Sequence, residues 1–380
     1  MEIVYRQITL IIVESCNLNC TYCYEKHKEN SSMSFETAKT IIDREIQESS
    51  PDMFFQIEFF GGEPFLNFPL MKEVVAYVKE KYPERVSFNT TTNGVLLNDE
   101  MKQWLMDHKD NFFAAVSVDG TEYAHNLNRM LRNSIEGSYK KIDLDFFLNT
   151  YESAKVKMTI APNTVEYMAD GIIELTEKGF EVDATLAMGD IDWSDEKNVG
   201  VLLEQLNRMV EYYKNNPQYP VVRMLKVPIE SMFNNKEKQT TRYCGAGARI
   251  HCYTGNELEW TPCQGFSRIT LGEDSKLYYN ETFEDYVEPD GICKQCKINS
   301  VCIRCWGTNL AATGSIDDID PWVCVINRIL IVAGAKIAYD RIINKEEITD
   351  SDQRILKGIN IIIEEAFNKN NQYLKECDKL

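Results

Sequence analysis

Six short apolar runs, each followed by a longer amphipathic stretch, fill the first 190 residues and leave the chain few folds to choose from. The runs are Gln7 to Val13, Phe54 to Phe60, Val86 to Thr91, Phe112 to Val118, Lys155 to Ile160 and Val182 to Ala187. Helical patterns lie between them: Phe35 to Gln47, with Phe35, Ala38, Ile41, Ile42 and Ile46 on one face, Leu70 to Lys81, and Val165 to Lys178. Parallel strands need crossover connections, and a helix in each crossover covers one face of the sheet. Six such units curve the sheet without closing it. The expected class is therefore α/β, an open partial (β/α)6 barrel of the TIM type, whose chemistry belongs on the loops leaving the C-terminal ends of the strands.

The first of those loops carries Cys16, Cys20 and Cys23 in the run ESCNLNCTYCYE. Cuboidal iron–sulfur clusters are normally held by four thiolates, so three thiols at CxxxCxxC spacing describe a 4Fe-4S cluster with one iron open to a small molecule. The plainer alternatives are a zinc site or buried core thiols, and no histidine is suitably placed for zinc, His27 standing four residues beyond Cys23. Twelve cysteines would suit a secreted disulfide protein, but MEIVYRQITL has no basic start, long apolar core or cleavage site. A reducing, cytoplasmic location is expected, where clustered cysteines read as metal sites. No apolar run approaches the roughly 20 residues that span a bilayer. The net charge of −18 argues against nucleic acid or an anionic membrane as partner and would steer a basic peptide toward the protein.

Downstream, Trp193 to Asn216 reads as helix and Pro217 to Lys238 as a mixed connector. From Tyr243 to about Asp320 the chain turns to short loops rich in Cys and Gly, a texture that buries little apolar surface and needs metal to hold it. Eight cysteines lie between Cys244 and Cys324, enough for two clusters of four; Cys377 is left over as a free thiol. Zinc knuckles are the alternative for Cys293, Cys296, Cys302 and Cys305. Val325 to Tyr339 and Gln353 to Tyr373 read as closing helices. The expected division is a barrel over 1–192, a helical connector over 193–242, a cluster domain over 243–324 and C-terminal helices over 325–380.

Three further segments follow strands. FFGGEP places Gly61, Gly62 and Glu63 after the second, TTTNG places Asn93 and Gly94 after the third, and VSVDG places Ser117 and Asp119 after the fourth, with His125 and Arg129 at i, i+4 spacing beyond. Alone, these are turns and a solvated pair.

Together they resemble the radical S-adenosylmethionine superfamily, whose signature CxxxCxΦC appears here as CNLNCTYC. The resemblance implies that the methionine amine and carboxylate of S-adenosylmethionine chelate the open iron and that sulfonium cleavage gives a 5′-deoxyadenosyl radical. It implies that Tyr22 packs on the cofactor's ring and that Gly61 and Gly62 let the backbone approach it. Glu63 would accept from its ammonium, Asn93 would lie near it, and Ser117 and Asp119 would meet its ribose, with Arg129 closing the HxxxR that follows. The tail resembles the SPASM domain. That implies two auxiliary 4Fe-4S clusters, on Cys244, Cys252, Cys263 and Cys305 and on Cys293, Cys296, Cys302 and Cys324, and three clusters in all. A SPASM-type tail points to a Cys-containing precursor peptide or protein as substrate, with a low-potential electron donor such as ferredoxin or flavodoxin. The leading reading is a maturase of a ribosomally made peptide that forms a cysteine thioether. The alternatives are an anaerobic sulfatase-maturating enzyme, carbon–carbon crosslinking, and a non-enzymatic electron carrier. Asp183 and Asp190, near the sixth strand, are the candidate bases. Strand one begins too early for a preceding leader-binding domain, so leader recognition is expected at the barrel mouth, in the tail or on a separate protein.

Overall fold

The computed structural model describes residues 5–233, 244–283 and 293–366; Cys377 and the end of the second closing helix lie outside the described residues. Ten strands occur among them: β1 (Tyr5–Val13), β2 (Leu18–Cys20), β3 (Phe54–Gly61), β4 (Val86–Thr92), β5 (Phe112–Ser117), β6 (Arg129–Leu131), β7 (Lys155–Ile160), β8 (Glu181–Leu186), β9 (Ile250–Thr254) and β10 (Trp260–Thr261). The six expected strands are β1, β3, β4, β5, β7 and β8, each within two residues of its sequence limits. The fold is α/β with a mostly parallel sheet. The chain forms two compact units, Met1–Lys157 with Gly245–Phe283, and Met158–Cys244 with Glu284–Leu380.

In the first unit the sheet runs β10-β9-β1-β3-β4-β5, with the first residues of β7 beside β5. All neighbours are parallel except β10 and β9. Side chains alternate across a strand, and here the two faces differ in kind. Phe55, Ile57 and Phe59 of β3 are fully buried, and Phe59 stacks at 6.1 Å on Phe88 and at 5.9 Å on Phe112. This apolar layer is where the helices pack. Helix Phe35–Gln47 forms as expected: Ser34 caps it by accepting from Thr37 N at 3.1 Å, and Ala38, Ile41, Ile42 and Ile46 are buried. The other face carries a polar network beside apolar residues such as Phe60 and Ile11. Glu58 of β3 accepts from Gln7 Nε2 at 2.7 Å, Thr9 Oγ1 at 2.8 Å and Asn89 Nδ2 at 3.3 Å.

The segment from Tyr243 onward departs from expectation. Rather than loops with little burial, it contributes β9, parallel to β1 with Thr9 opposite Cys252. The run IHCYT alternates like any strand. Tyr253 and His251 point to Glu45 of helix Phe35–Gln47, while Cys252 packs with Ile11, Ile269 and Phe60. A histidine and a cysteine in a five-residue strand hide its apolar pattern.

In the second unit Ala187 N, just past β8, donates to Ile160 O of β7 at 2.8 Å. Val165 to Lys178 is a 3-10 turn, Pro162–Tyr167, running into helix Met168–Glu177. The helices Glu196–Asn215, Pro321–Ile343 and Asp350–Ala366 complete the unit's main elements. Pro321–Ile343 starts where Asp320 accepts from Trp322 N and Val323 N. By length and composition this helix could cross a membrane, which corrects the run-length expectation; 61% of its apolar window is buried inside the unit. It also carries a buried arginine, Arg328. It is a core helix.

Candidate functional site

The cysteine loop leaves β1 and is fastened at once. β2 pairs antiparallel with β6, placing Cys20 opposite Arg129. Thr21 Oγ1 donates to Asn128 Oδ1 at 2.6 Å, and Arg132 Nη1 reaches Cys16 O at 3.3 Å. The CxxxCxxC loop and the HxxxR segment, more than a hundred residues apart, thus form one two-stranded ribbon. Cys16, Cys20 and Cys23 are all half-buried. Cys16 lies within electrostatic range of Cys20, and Cys20 of Cys23. Burial pushes the Cys16 thiol up to about 12 and the Cys20 thiol up to about 11. Such thiols stay neutral until a bound cation displaces the proton.

Around this loop the expected site residues hold one another. Tyr22 Oη donates to Asp119 Oδ2, Arg129 Nε donates to the same oxygen at 3.0 Å, and the Arg129 guanidinium lies 5.5 Å from the centre of the Tyr22 ring. Asp119 is 1% exposed and Arg129 8%. His125 is buried, with Nδ1 accepting from Asp119 N at 3.2 Å and Nε2 against Ser138 Oγ at 2.9 Å. Burial lowers its pKa to about 4, so it is a neutral brace rather than a charge. Ser117 is buried at the end of β5.

Glu63 clasps two strand ends. Its Oε1 accepts from Thr92 Oγ1 at 2.7 Å and Phe65 N at 3.2 Å, and Oε2 accepts from Asn93 N at 2.8 Å. Burial raises its pKa to about 7. Asn93 Nδ2 in turn donates to Asn17 Oδ1 at 2.7 Å. The glycines before Glu63 answer to the polypeptide itself. A Cβ on Gly61, whose φ is +131°, would fall 1.9 Å from Val13 O, and one on Gly62 would fall 2.3 Å from Ser15 O. They let β3 pass close to the start of the cysteine loop.

Sequence reasoning missed two residues here. Lys28 Nζ donates to Cys23 Sγ at 2.8 Å and pairs with Glu25 at 3.0 Å. Asn17, between two of the cysteines, has a buried Nδ2 with no hydrogen-bond partner among the described residues. A buried donor left without an acceptor is costly, and it suits a ligand that brings one. Position next to the triplet was the available signal for both.

The other expected ligands divide between the units. Cys252 and Cys263 belong to the first, Cys252 with its thiol pushed well up by burial and Cys263 within its electrostatic range. Cys244 and Cys305 belong to the second, where both are exposed. So do Cys293, Cys296, Cys302 and Cys324. Cys302 is within electrostatic range of the other three of that set. Among the described residues no three His, Cys, Asp or Glu side chains are close enough to share a single metal ion. Four thiols in one neighbourhood are the kind of donor set that a 4Fe-4S cluster takes. Asp183, buried, and Asp190, exposed, also lie in the second unit, Asp190 lining a cavity of about 240 Å³ with Trp193 and Trp322.

A family model described as a 4Fe-4S single cluster domain matches residues 6–142. The cysteine-type anaerobic sulfatase-maturating enzyme of Clostridium perfringens strain 13 is 32% identical over 318 residues, 76% of this chain and 83% of that protein. The radical SAM cyclopropyl synthase TigE of Paramaledivibacter caminithermalis is 22% identical over 356 residues, 86% of this chain and 73% of its own. An uncharacterized protein of Methanocaldococcus jannaschii is 32% identical over 139 residues, and there the match spans 46% of the relative's length. Among solved structures, native anSMEcpe with bound AdoMet and Kp18Cys peptide superimposes with a TM-score of 0.68 at 17% identity, covering 90% of this chain and 98% of that one.

Proposed function

The chain belongs to the radical S-adenosylmethionine superfamily, and on that premise we propose that it matures a ribosomally made, Cys-containing precursor peptide by closing a cysteine thioether. It is an enzyme that uses S-adenosylmethionine and an iron–sulfur cluster. When bound, these supply a 5′-deoxyadenosyl radical able to take a carbon-bound hydrogen from the substrate. Cys16, Cys20 and Cys23 would hold the cluster's three ligated irons. The paired Asp119 and Arg129, with Tyr22, would present a rigid polar wall to the ribose and adenine. Glu63 would fix the Thr92 to Asn93 backbone, and Asn17 Nδ2 offers a buried donor.

One observation carries the reading: strand pairing locks the cysteine loop to the Arg129 segment, so Cys20, Tyr22, Asp119 and Arg129 are gathered beside one another as buried and half-buried donors and acceptors. The cysteines of the tail support three 4Fe-4S clusters in all. Similarity to a sulfatase-maturating enzyme, and to anSMEcpe with its bound peptide, supports a polypeptide substrate. A low-potential donor such as ferredoxin or flavodoxin would feed the first cluster, with Asp183 or Asp190 as base, in the cytoplasm.

The second reading is sulfatase maturation, oxidation of a Cys or Ser to formylglycine, favoured by the 32% identity to the Clostridium perfringens enzyme. Anaerobic incubation of reconstituted protein with S-adenosylmethionine, dithionite and a Cys-containing peptide encoded beside its gene separates the two by mass spectrometry. A loss of two hydrogens with one thiol no longer alkylatable supports the thioether. Conversion of one Cys to an aldehyde replaces it with the second reading, and no cleavage of S-adenosylmethionine sinks both.

A further inference from the structure

Helix Pro321–Ile343 brings three residues to one edge of the tail's thiol set. Cys324 is buried in its first turn, and Asn327 and Arg328 follow at i+3 and i+4, on the same face. Asn327 Nδ2 donates to Cys302 Sγ at 3.7 Å and to Ile303 O at 3.0 Å, and Arg328 Nη2 donates to Cys296 Sγ at 3.3 Å. Arg328 is 4% exposed, and its Nη1 is buried with no hydrogen-bond partner among the described residues. A carboxylate near it is that of Glu365 on helix Asp350–Ala366, 3.6 Å away and itself buried. Arg304 is also buried, within electrostatic range of Cys302.

Burying a guanidinium costs several kcal/mol unless nearby negative charge and acceptors offset it, and Arg carries five donors. Glu365, beyond good hydrogen-bond distance, satisfies little of that demand, and neutral thiols satisfy less. Four thiolates around a cluster would meet it, and they would lie where Arg328 already points.

We infer that Arg328, assisted by Asn327, raises the reduction potential of the auxiliary cluster on Cys293, Cys296, Cys302 and Cys324, which makes that cluster the acceptor of the electron released at thioether closure. This rests on the function proposed above. Reduction adds negative charge to a cluster, so a buried cation and N–H donors at its sulfurs favour the reduced form; hydrogen bonding and net charge are established determinants of such potentials. Glu365 works in the opposite sense. Closure of a substrate carbon radical with a cysteine thiolate forms the C–S bond and releases one electron, and the cluster takes up that electron. The thiol's proton has already left to a base.

The test is an EPR-monitored redox titration of the reconstituted full chain. R328Q should lower the potential of this cluster by at least a tenfold change in its reduction equilibrium, 59 mV for one electron. R328K should restore part of the shift, E365Q should raise the potential, and the cluster on Cys16, Cys20 and Cys23 should stay where it is. Potentials that do not move, or that move the same way in R328Q and E365Q, overturn the inference, because a merely structural role has no sign to reverse. If R328Q loses its cluster, E365Q still decides, since it leaves Arg328 in place. Failure of the underlying assignment looks different: wild-type iron content and spectra would lack this cluster, and C296A would remove no iron.

Discussion

The two thiol sets are supported in opposite ways. Around Cys16, Cys20 and Cys23 the chain has done its own work: strand pairing, a buried Asp–Arg pair, a neutral histidine and the Glu63 clasp fix the loop with hydrogen bonds that need no metal. Around Cys293, Cys296, Cys302 and Cys324 the backbone consists of turns and a three-residue 3-10 segment, Asn299–Val301, and the long helix supplies the order. The described thiols there meet Asn327 and Arg328. The first set reads as a socket prepared for a reactive ligand. The second reads as a segment that a cluster would finish, since metal binding and folding are one free energy where no preformed site exists.

The largest expected effects test that contrast directly. C20A should abolish S-adenosylmethionine cleavage and remove about four irons, yet leave the first unit's thermal unfolding and proteolytic pattern close to wild type. C302A should leave cleavage of the cofactor detectable but open the segment around residues 293–302 to protease. Equal loss of structure in both variants would erase the distinction. Next in size are G61A and G62A, where a Cβ would press on backbone oxygens of Val13 and Ser15. Backbone cannot yield as a side-chain tip can, so each should cost a few kcal/mol, about the upper range for overpacking, and weaken cluster retention, measured by urea denaturation and iron content. Third is R129M. It leaves Asp119 buried without its cation, a change of about 3–5 kcal/mol when one partner of such a pair is removed. D119N with R129M should recover part of that loss.

Much of the framework was legible because its signals are local. Six strands follow from short apolar runs between amphipathic stretches, and helix Phe35–Gln47 from a 3.6-residue apolar stripe. The site was legible as a set of residues and less so as a set of relations. Asp119, Tyr22 and Arg129 were each expected against the cofactor, and the structure adds that they grip one another, because contacts between positions 22, 119 and 129 leave no periodic trace. Gly61 and Gly62 were expected to let the backbone approach the cofactor, and the structure adds that a Cβ on either would also meet the chain's own backbone at Val13 and Ser15. Strand β9 and the Glu45 network were illegible for the same reason: Glu45 finds His251 and Tyr253 more than two hundred residues away. No window on the sequence contains both ends of such a bond.

The smallest effect is a dependence on pH that belongs to the socket alone. Burial raises the Glu63 pKa to about 7 from an ordinary value of 4.5. Below pH 4.5 the carboxyl is protonated whether the chain is folded or not, and it contributes no pH dependence. Between 4.5 and about 7 the unfolded chain releases this proton while the folded one keeps it, so the folded state binds more protons and stability falls as pH rises. Above about 7 both states are ionised and the slope vanishes. Urea midpoints of the cluster-free protein should therefore drift downward across that window. E63Q keeps the acceptor for Asn93 N and cannot ionise, so its profile should be flatter by this contribution. A wild-type slope that survives unchanged in E63Q would transfer the effect to Glu14, Glu25 or Glu58, whose pKa values burial also raises. The clasp would then be ionised throughout, and the strand ends it joins would be held by a charged carboxylate accepting three donors, a tighter socket than a neutral one.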